Sequence, residues 1–174
     1  MSDLANLAKL ARSNAQLPVN VYFDEALLKQ EIQQLFRAGP RYAGHELMVP
    51  NVGDFATLAW ENEGRMLVRS QQGIELLSNV CRHRQAKMFN GRGHAKNIVC
   101  PLHRWTYDLK GELIGAPHFG ETPCLNLSNT PLQSWNGLLF EQNGVNVAKI
   151  LGKLGVTKDL DFSGYMLDHV EVHE

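Results

Sequence analysis

The sequence is poor in the features that mark most specialised protein classes. Its 174 residues contain three cysteines, Cys81, Cys100 and Cys124, too few and too odd a set for a disulfide framework. They suit a reducing compartment in which thiols bind metal or stay free, so a cytoplasmic location is expected. Charge of one sign is not in excess. With 17 basic and 18 acidic residues the net charge is -1, which provides no pull towards nucleic acid or an anionic membrane. No apolar run approaches the length needed to span a bilayer. No Gly-x-Gly-x-x-Gly fingerprint for a nucleotide or flavin occurs, and there is no internal repeat or low-complexity segment. The first twenty residues, with Asp3, Lys9 and Arg12, lack the continuous apolar stretch of a secretory signal. Leu4, Leu7, Ala8 and Ala11 have the spacing of a short amphipathic helix.

What remains is an ordinary globular composition, 44% hydrophobic and 20% charged, in a length suited to one domain or one domain plus the start of another. Residues 1–40 read as helical. Asp24 is the candidate N-cap, Leu27, Leu28, Ile32, Leu35 and Phe36 recur at helical spacing, and Gly39-Pro40 stops the run. Residues 41–141 read as short strands separated by turns such as Glu63-Gly64, Gln72-Gly73, Lys110-Gly111 and Asn136-Gly137. The expected strands cover 42–49, 55–60, 65–70, 73–79, 97–100, 105–108, 112–114 and 137–141. Many short strands without long intervening helices predict a mainly β fold, an antiparallel β-sandwich. Val147, Ile150, Leu151 and Leu154 then predict a short connecting helix ended by Gly155, and the alternation in the tail 161–174 has a strand signature.

Chemistry concentrates in one segment, Cys-Arg-His-Arg-Gln-Ala-Lys beginning at Cys81 and Cys-Pro-Leu-His-Arg-Trp beginning at Cys100. Cys81-x-His83 and Cys100-x-x-His103 are separated by sixteen residues, with Asn90-Gly91-Arg92-Gly93 allowing the chain to reverse between them. Each half offers one thiol and one imidazole, and together they complete a first shell for a metal centre. One reading is a single structural zinc. Zinc fingers, however, usually group Cys with Cys and His with His. The other reading is a two-iron cluster in which one iron takes two thiolates and the other two imidazoles, which needs this mixing within each loop.

Cys81-Arg82-His83-Arg84 followed by Cys100-Pro101-Leu102-His103-Arg104-Trp105-Thr106-Tyr107-Asp108 resembles the Rieske domain of the aromatic-ring-hydroxylating oxygenase α subunits. So do Tyr22-Phe23-Asp24, Gly44-His45-Glu46-Leu47, Gly53-Asp54-Phe55-Ala56-Thr57, Leu109–Leu113 and Trp135–Phe140, so the resemblance spans about residues 20–141. It departs at Arg104 and Gln85, where the family commonly has glycine, and at Arg41-Tyr42, where a tryptophan is usual.

The resemblance implies a Rieske 2Fe–2S cluster with Cys81 and Cys100 on one iron and His83 and His103 on the other. It implies supporting contacts from Arg84 and Trp105, and a covering loop at Gly115-Ala116-Pro117. Cys124 is then a bystander, expected to be a buried inert thiol. The family activates dioxygen at a mononuclear Fe(II) held by two histidines and a carboxylate in a following catalytic domain. The His-x₄-His pair for that site does not occur in this sequence. Residues 142–174 are therefore expected to be a connector and the start of that catalytic domain. The implied partners are a ferredoxin or reductase as donor and the catalytic domain of the same or a neighbouring subunit as acceptor, in a homotrimer or α3β3 assembly. A free-standing Rieske ferredoxin-like carrier is the alternative.

Overall fold

The computed structural model of the chain describes residues 17–121, 123–154 and 161–171. It divides into two compact units, Met1–Gly39 and Pro40–Glu174. The helix expected over residues 4–11 lies outside the described residues.

In the first unit a 3-10 turn, Val19–Phe23, leads into helix α1, Glu25–Glu31. The Asp24 carboxylate accepts hydrogen bonds from the amides of Ala26 (2.9 Å) and Leu27 (3.1 Å), which satisfies two of the unpaired donors at the helix start. The helix widens into a π-type turn over Ile32–Phe36, a local change that a 3.6-residue periodicity does not signal.

Among its described residues the second unit has eleven strands, all paired antiparallel. The largest sheet has the order β5-β2-β3-β4-β9, formed by Arg92–His94, Asp54–Thr57, Arg65–Arg69, Ile74–Ser78 and Asn129–Thr130. A second sheet, β1-β11-β10, joins Tyr42–His45, Leu138–Glu141 and Leu132–Trp135. The third, β6-β7-β8, joins Ile98–Val99, Thr106–Tyr107 and Leu113–Gly115. This is the mainly β, antiparallel architecture that the turn spacing predicts.

Side chains of a strand alternate between its two faces, and here both faces are buried. Met66, Val68 and Leu77 enter one core with Cys81, Cys100, Trp105 and Tyr107. Leu67, Leu76 and Ala56 enter a second with Ala43, Val49, Leu58 and Leu139. The first core carries the motif loops.

Several sequence expectations need correction. Residues 90–93 are not only a reversal: Arg92–His94 adds an edge strand to β2. Gly93 permits this approach, because a Cβ there would lie 2.7 Å from Cζ of Phe55, whose ring stacks on Phe89. Strands β9 and β10 have little apolar alternation and were not foreseen. Helix α2, Val147–Leu151, is capped by Asn146 and ends in a 3-10 turn, Gly152–Leu154; Gly155 lies outside the described residues. The tail 161–171 forms no strand, since none of it enters a ladder. Leu167 packs on the second core instead, and the Phe162 ring meets His45 edge-on at 5.1 Å. Cys124 is exposed rather than buried. In the irregular stretch before β9 it is Leu125 and Leu127 that pack inward.

Candidate metal centre

The two motif loops are built alike. In the first, the Cys81 amide donates to the Ala86 carbonyl (2.9 Å) and the Gln85 amide to the Cys81 carbonyl (2.9 Å). In the second, the Cys100 amide donates to the Trp105 carbonyl (2.8 Å) and the Arg104 amide to the Cys100 carbonyl (3.1 Å). Each loop turns through a left-handed residue four positions after its cysteine, Gln85 at φ 57° and Arg104 at φ 58°. Glycine takes that conformation without penalty, and a side chain there carries a cost.

Different elements hold the loops. The first follows β4 and is anchored by Asn79, a fully buried side chain with every polar group used. Its Nδ2 donates to the carbonyls of Glu63 (2.9 Å) and Phe89 (2.8 Å), and its Oδ1 accepts from the Phe89 amide (2.9 Å). The second loop is the connection between β6 and β7 and needs no such clamp.

Cys81 and Cys100 are each 1% exposed, and their thiols are close enough to hydrogen-bond to each other. Burial pushes the Cys100 thiol up, while the amides of Leu102 and His103, which donate to its sulfur, favour the thiolate. Tyr107 was not singled out from the sequence. Its hydroxyl accepts from the Arg82 amide (3.1 Å), so its one hydrogen is left for the Cys81 sulfur 3.5 Å away. Burial first, and then this contact with Cys81, raise its pKa.

His83 and His103 are half-buried at the outer end, with ring centroids 4.7 Å apart. The Trp105 indole stacks on His83 at 4.8 Å and 7°. Phe119 packs edge-on against both His83 (5.9 Å) and Trp105 (5.2 Å). Burial, the neighbouring His103 and the Arg84 charge all lower the His83 pKa, keeping the ring in the neutral form that binds metal. Pro117 is exposed, and it is Phe119, further along the same loop, that reaches the histidines. Arg84 is exposed and acts on His83 through its charge.

The arrangement fits a two-iron group better than a single ion. His83 Nδ1 and Trp105 Nε1 are buried without a hydrogen-bond partner among the described residues, a cost that a bound group would remove. Among the described residues no three His, Cys, Asp or Glu side chains converge as they would around one zinc. A cluster with two protein ligands per iron does not ask for that.

The profile of the Rieske [2Fe-2S] domain matches residues 41–131. The chain belongs to the Rieske [2Fe-2S] domain family, and its cofactor is the Rieske cluster. Its relatives are Rieske oxygenases. It is 67% identical to putrescine 2-hydroxylase of Ralstonia nicotianae over 174 residues, covering 100% of this chain and 47% of that protein. It is 47% identical to putrescine 2-hydroxylase of Bordetella bronchiseptica over 189 residues, covering 44% of that protein. It is 32% identical to the biphenyl 2,3-dioxygenase α subunit of Rhodococcus jostii, covering 98% of this chain and 38% of the other. Among solved structures, a naphthalene 1,2-dioxygenase variant bound to phenanthrene superimposes with a TM-score of 0.62 at 28% identity, over 76% of this chain and 32% of that one. The chain thus spans less than half the length of these relatives. Among the described residues, no helix is long and apolar enough to cross a membrane.

Proposed function

We propose that this chain is the electron-transfer portion of a Rieske oxygenase, with Cys81 and Cys100 holding one iron and His83 and His103 the other. The observation that carries the ligand set is the buried, orphaned Nδ1 of His83, beside a second imidazole on loops that also present two adjacent buried thiols. When bound, the cluster supplies a one-electron couple whose potential lies above that of all-thiolate clusters, because two neutral imidazoles replace two anionic thiolates. The protein's own groups tune and insulate it. Tyr107 and the amides of Leu102 and His103 donate to the cysteine sulfurs, favouring the reduced, more negative state. The thiol end is sealed in the core, and the half-exposed imidazoles are the route by which an electron enters and leaves.

In this reading residues 1–40 are an N-terminal helical segment, 41–141 the Rieske domain, and 142–174 a connector leading into a catalytic domain with the mononuclear Fe(II). A ferredoxin or reductase supplies electrons. The acceptor is the catalytic domain of the same or a neighbouring subunit, in a homotrimer or α3β3 assembly. The two putrescine 2-hydroxylases, at 67% and 47% identity, support a short aliphatic diamine rather than an aromatic ring as the whole enzyme's substrate class.

Metal and acid-labile sulfide analysis with visible and EPR spectra tests the ligand reading. Two irons and two sulfides per chain are expected, as the family's cluster requires; a colourless protein holding one zinc would overturn it. For the substrate, the full-length protein supplied with reductant should consume dioxygen with putrescine and not with biphenyl.

A further inference from the structure

The two motif loops stand on unequal bases. The Cys100–His103 loop rises from a regular ladder, in which Ile98 pairs with Tyr107 and Val99 with Thr106. The Cys81–His83 loop rises from an isolated bridge between Val80 and Lys87, outside the strands. We propose that Glu63 makes up the difference: it is a positioning residue that ties both feet of the first loop to the sheet, and so sets where that loop holds Cys81 and His83.

The first argument is what Glu63 gathers. Its backbone carbonyl accepts from Nδ2 of Asn79 (2.9 Å), two residues before Cys81. Its carboxylate reaches the other foot. Oε2 accepts from Lys87 Nζ at 2.7 Å, and Oε1 accepts from the Gly91 amide at 3.2 Å and the Thr57 hydroxyl at 3.1 Å. Asn79 joins the two feet to each other, through Phe89; Glu63 joins both of them to the connection between β2 and β3. An exposed ion pair alone contributes little. Here one residue links three chain segments, and both of its carboxylate oxygens are in use.

The second argument is strain. Asn62 and Glu63 are consecutive left-handed residues, at φ 52° and 57°. Glycine would take this backbone freely, whereas a glutamate carries a cost. A glycine at 63 would also leave Lys87, Gly91 and Thr57 without this acceptor. The third argument is how the loop meets its neighbour. The His83 ring stacks on Trp105 of the second loop, so a first loop set loose changes how the two candidate ligand pairs face each other.

This inference rests on the ligand reading above, but the two fail separately. Glu63→Gln and Lys87→Met each break the same link and keep the size of the side chain. The full-length protein as purified is compared with these variants and the double variant. Hydrogen–deuterium exchange is followed by mass spectrometry in peptides covering 81–91 and 98–107, together with the EPR spectrum, the reduction potential and the rate of iron loss to a chelator. Each single variant should exchange several-fold faster over 81–91 and no faster over 98–107. Each should lose iron several-fold faster, with the same change in EPR line shape. The double variant should be no worse than either single one, because the link is already broken. Unchanged exchange over 81–91 in both variants would overturn the proposal whatever metal the loops hold. Faster exchange spread equally over both loops would overturn it too, since Glu63 would then serve general stability. So would opposite shifts of the potential with exchange and iron loss unchanged: removing a negative charge at 63 and a positive one at 87 would then act only through space.

Discussion

Met66 and Val68 point from strand β3 into one core, and Leu67, between them, points into the other. The core under Leu67 is built of Ala43, Met48, Val49, Ala56, Leu58, Leu76 and Leu139, and beside it His45 of β1 has its Nε2 buried without a hydrogen-bond partner among the described residues. The core under Met66 and Val68 admits two thiols, a tyrosine hydroxyl and an indole N–H, and among the described residues it leaves Trp105 Nε1 unpaired. Two faces of one sheet thus obey different rules. An apolar face is judged by how well it fills space. The other must also keep polar groups at set positions in a low-dielectric setting, where an unpaired one is costly unless something binds it.

The largest expected effect falls on the polar face. His103→Ala should abolish the iron–sulfur visible and EPR signals while far-UV circular dichroism keeps the β spectrum. A full-strength signal would remove His103 from the ligand set.

Packing comes next and divides the faces more finely. Leu67→Ala and Leu77→Ala each delete a fully buried leucine and should cost about 2–5 kcal/mol in denaturant unfolding. Only Leu77→Ala, on the motif side, should broaden or shift the cluster spectrum. Equal spectral disturbance from both would mean that the two cores are mechanically one.

Tyr107→Phe removes a single hydrogen from the Cys81 contact and leaves the ring packing intact. A hydrogen bond of ~1 kcal/mol corresponds to on the order of 50 mV in a one-electron couple, so the variant's reduction potential should fall by about that much. An unchanged potential would show that the hydroxyl serves only the Arg82 amide.

The smallest effect is a pH dependence to which both faces contribute. Burial lowers the pKa of His83, helped by His103 and Arg84, and burial lowers that of His45 against the opposing charge of Glu46. His45 is also held neutral by geometry, since its Nδ1 accepts the Leu47 amide at 3.1 Å. In both cases the unfolded chain binds protons more readily than the folded one. Stability of the apo chain should therefore be highest above the ordinary histidine value of about 6.5 and decline as pH falls below it. Thermal unfolding at stepped pH checks this, and His45→Gln should flatten the decline without touching the motif.

Legibility in the sequence followed the same division. The motif was readable because metal chemistry demands particular residue types at short spacing, so Cys81, His83, Cys100 and His103 stand out with no knowledge of the fold. Strands β2, β3 and β4 were readable from apolar runs between Gly-containing turns. The edge strands β5, β9 and β10 were not, because a strand defined by its partner's hydrogen bonds needs no apolar pattern of its own. Asn79 and Phe119 left no trace either. One acts through backbone groups ten residues away, the other through a loop folded over the histidines. Gln85 and Arg104 were visible as departures from a glycine habit, and both take left-handed φ angles.

The sequence by itself marked the candidate ligands, two thiols and two imidazoles in mixed pairs at Cys81, His83, Cys100 and His103. The chemistry that makes a residue a candidate ligand is a property of single side chains, so the order of residues is enough to propose it. Only the tertiary structure decided that the Tyr107 hydroxyl meets the Cys81 sulfur and that the His83 imidazole lies against Trp105. Those are properties of pairs of residues far apart in the chain, and they exist only once the sheets have folded and burial has set their dielectric surroundings.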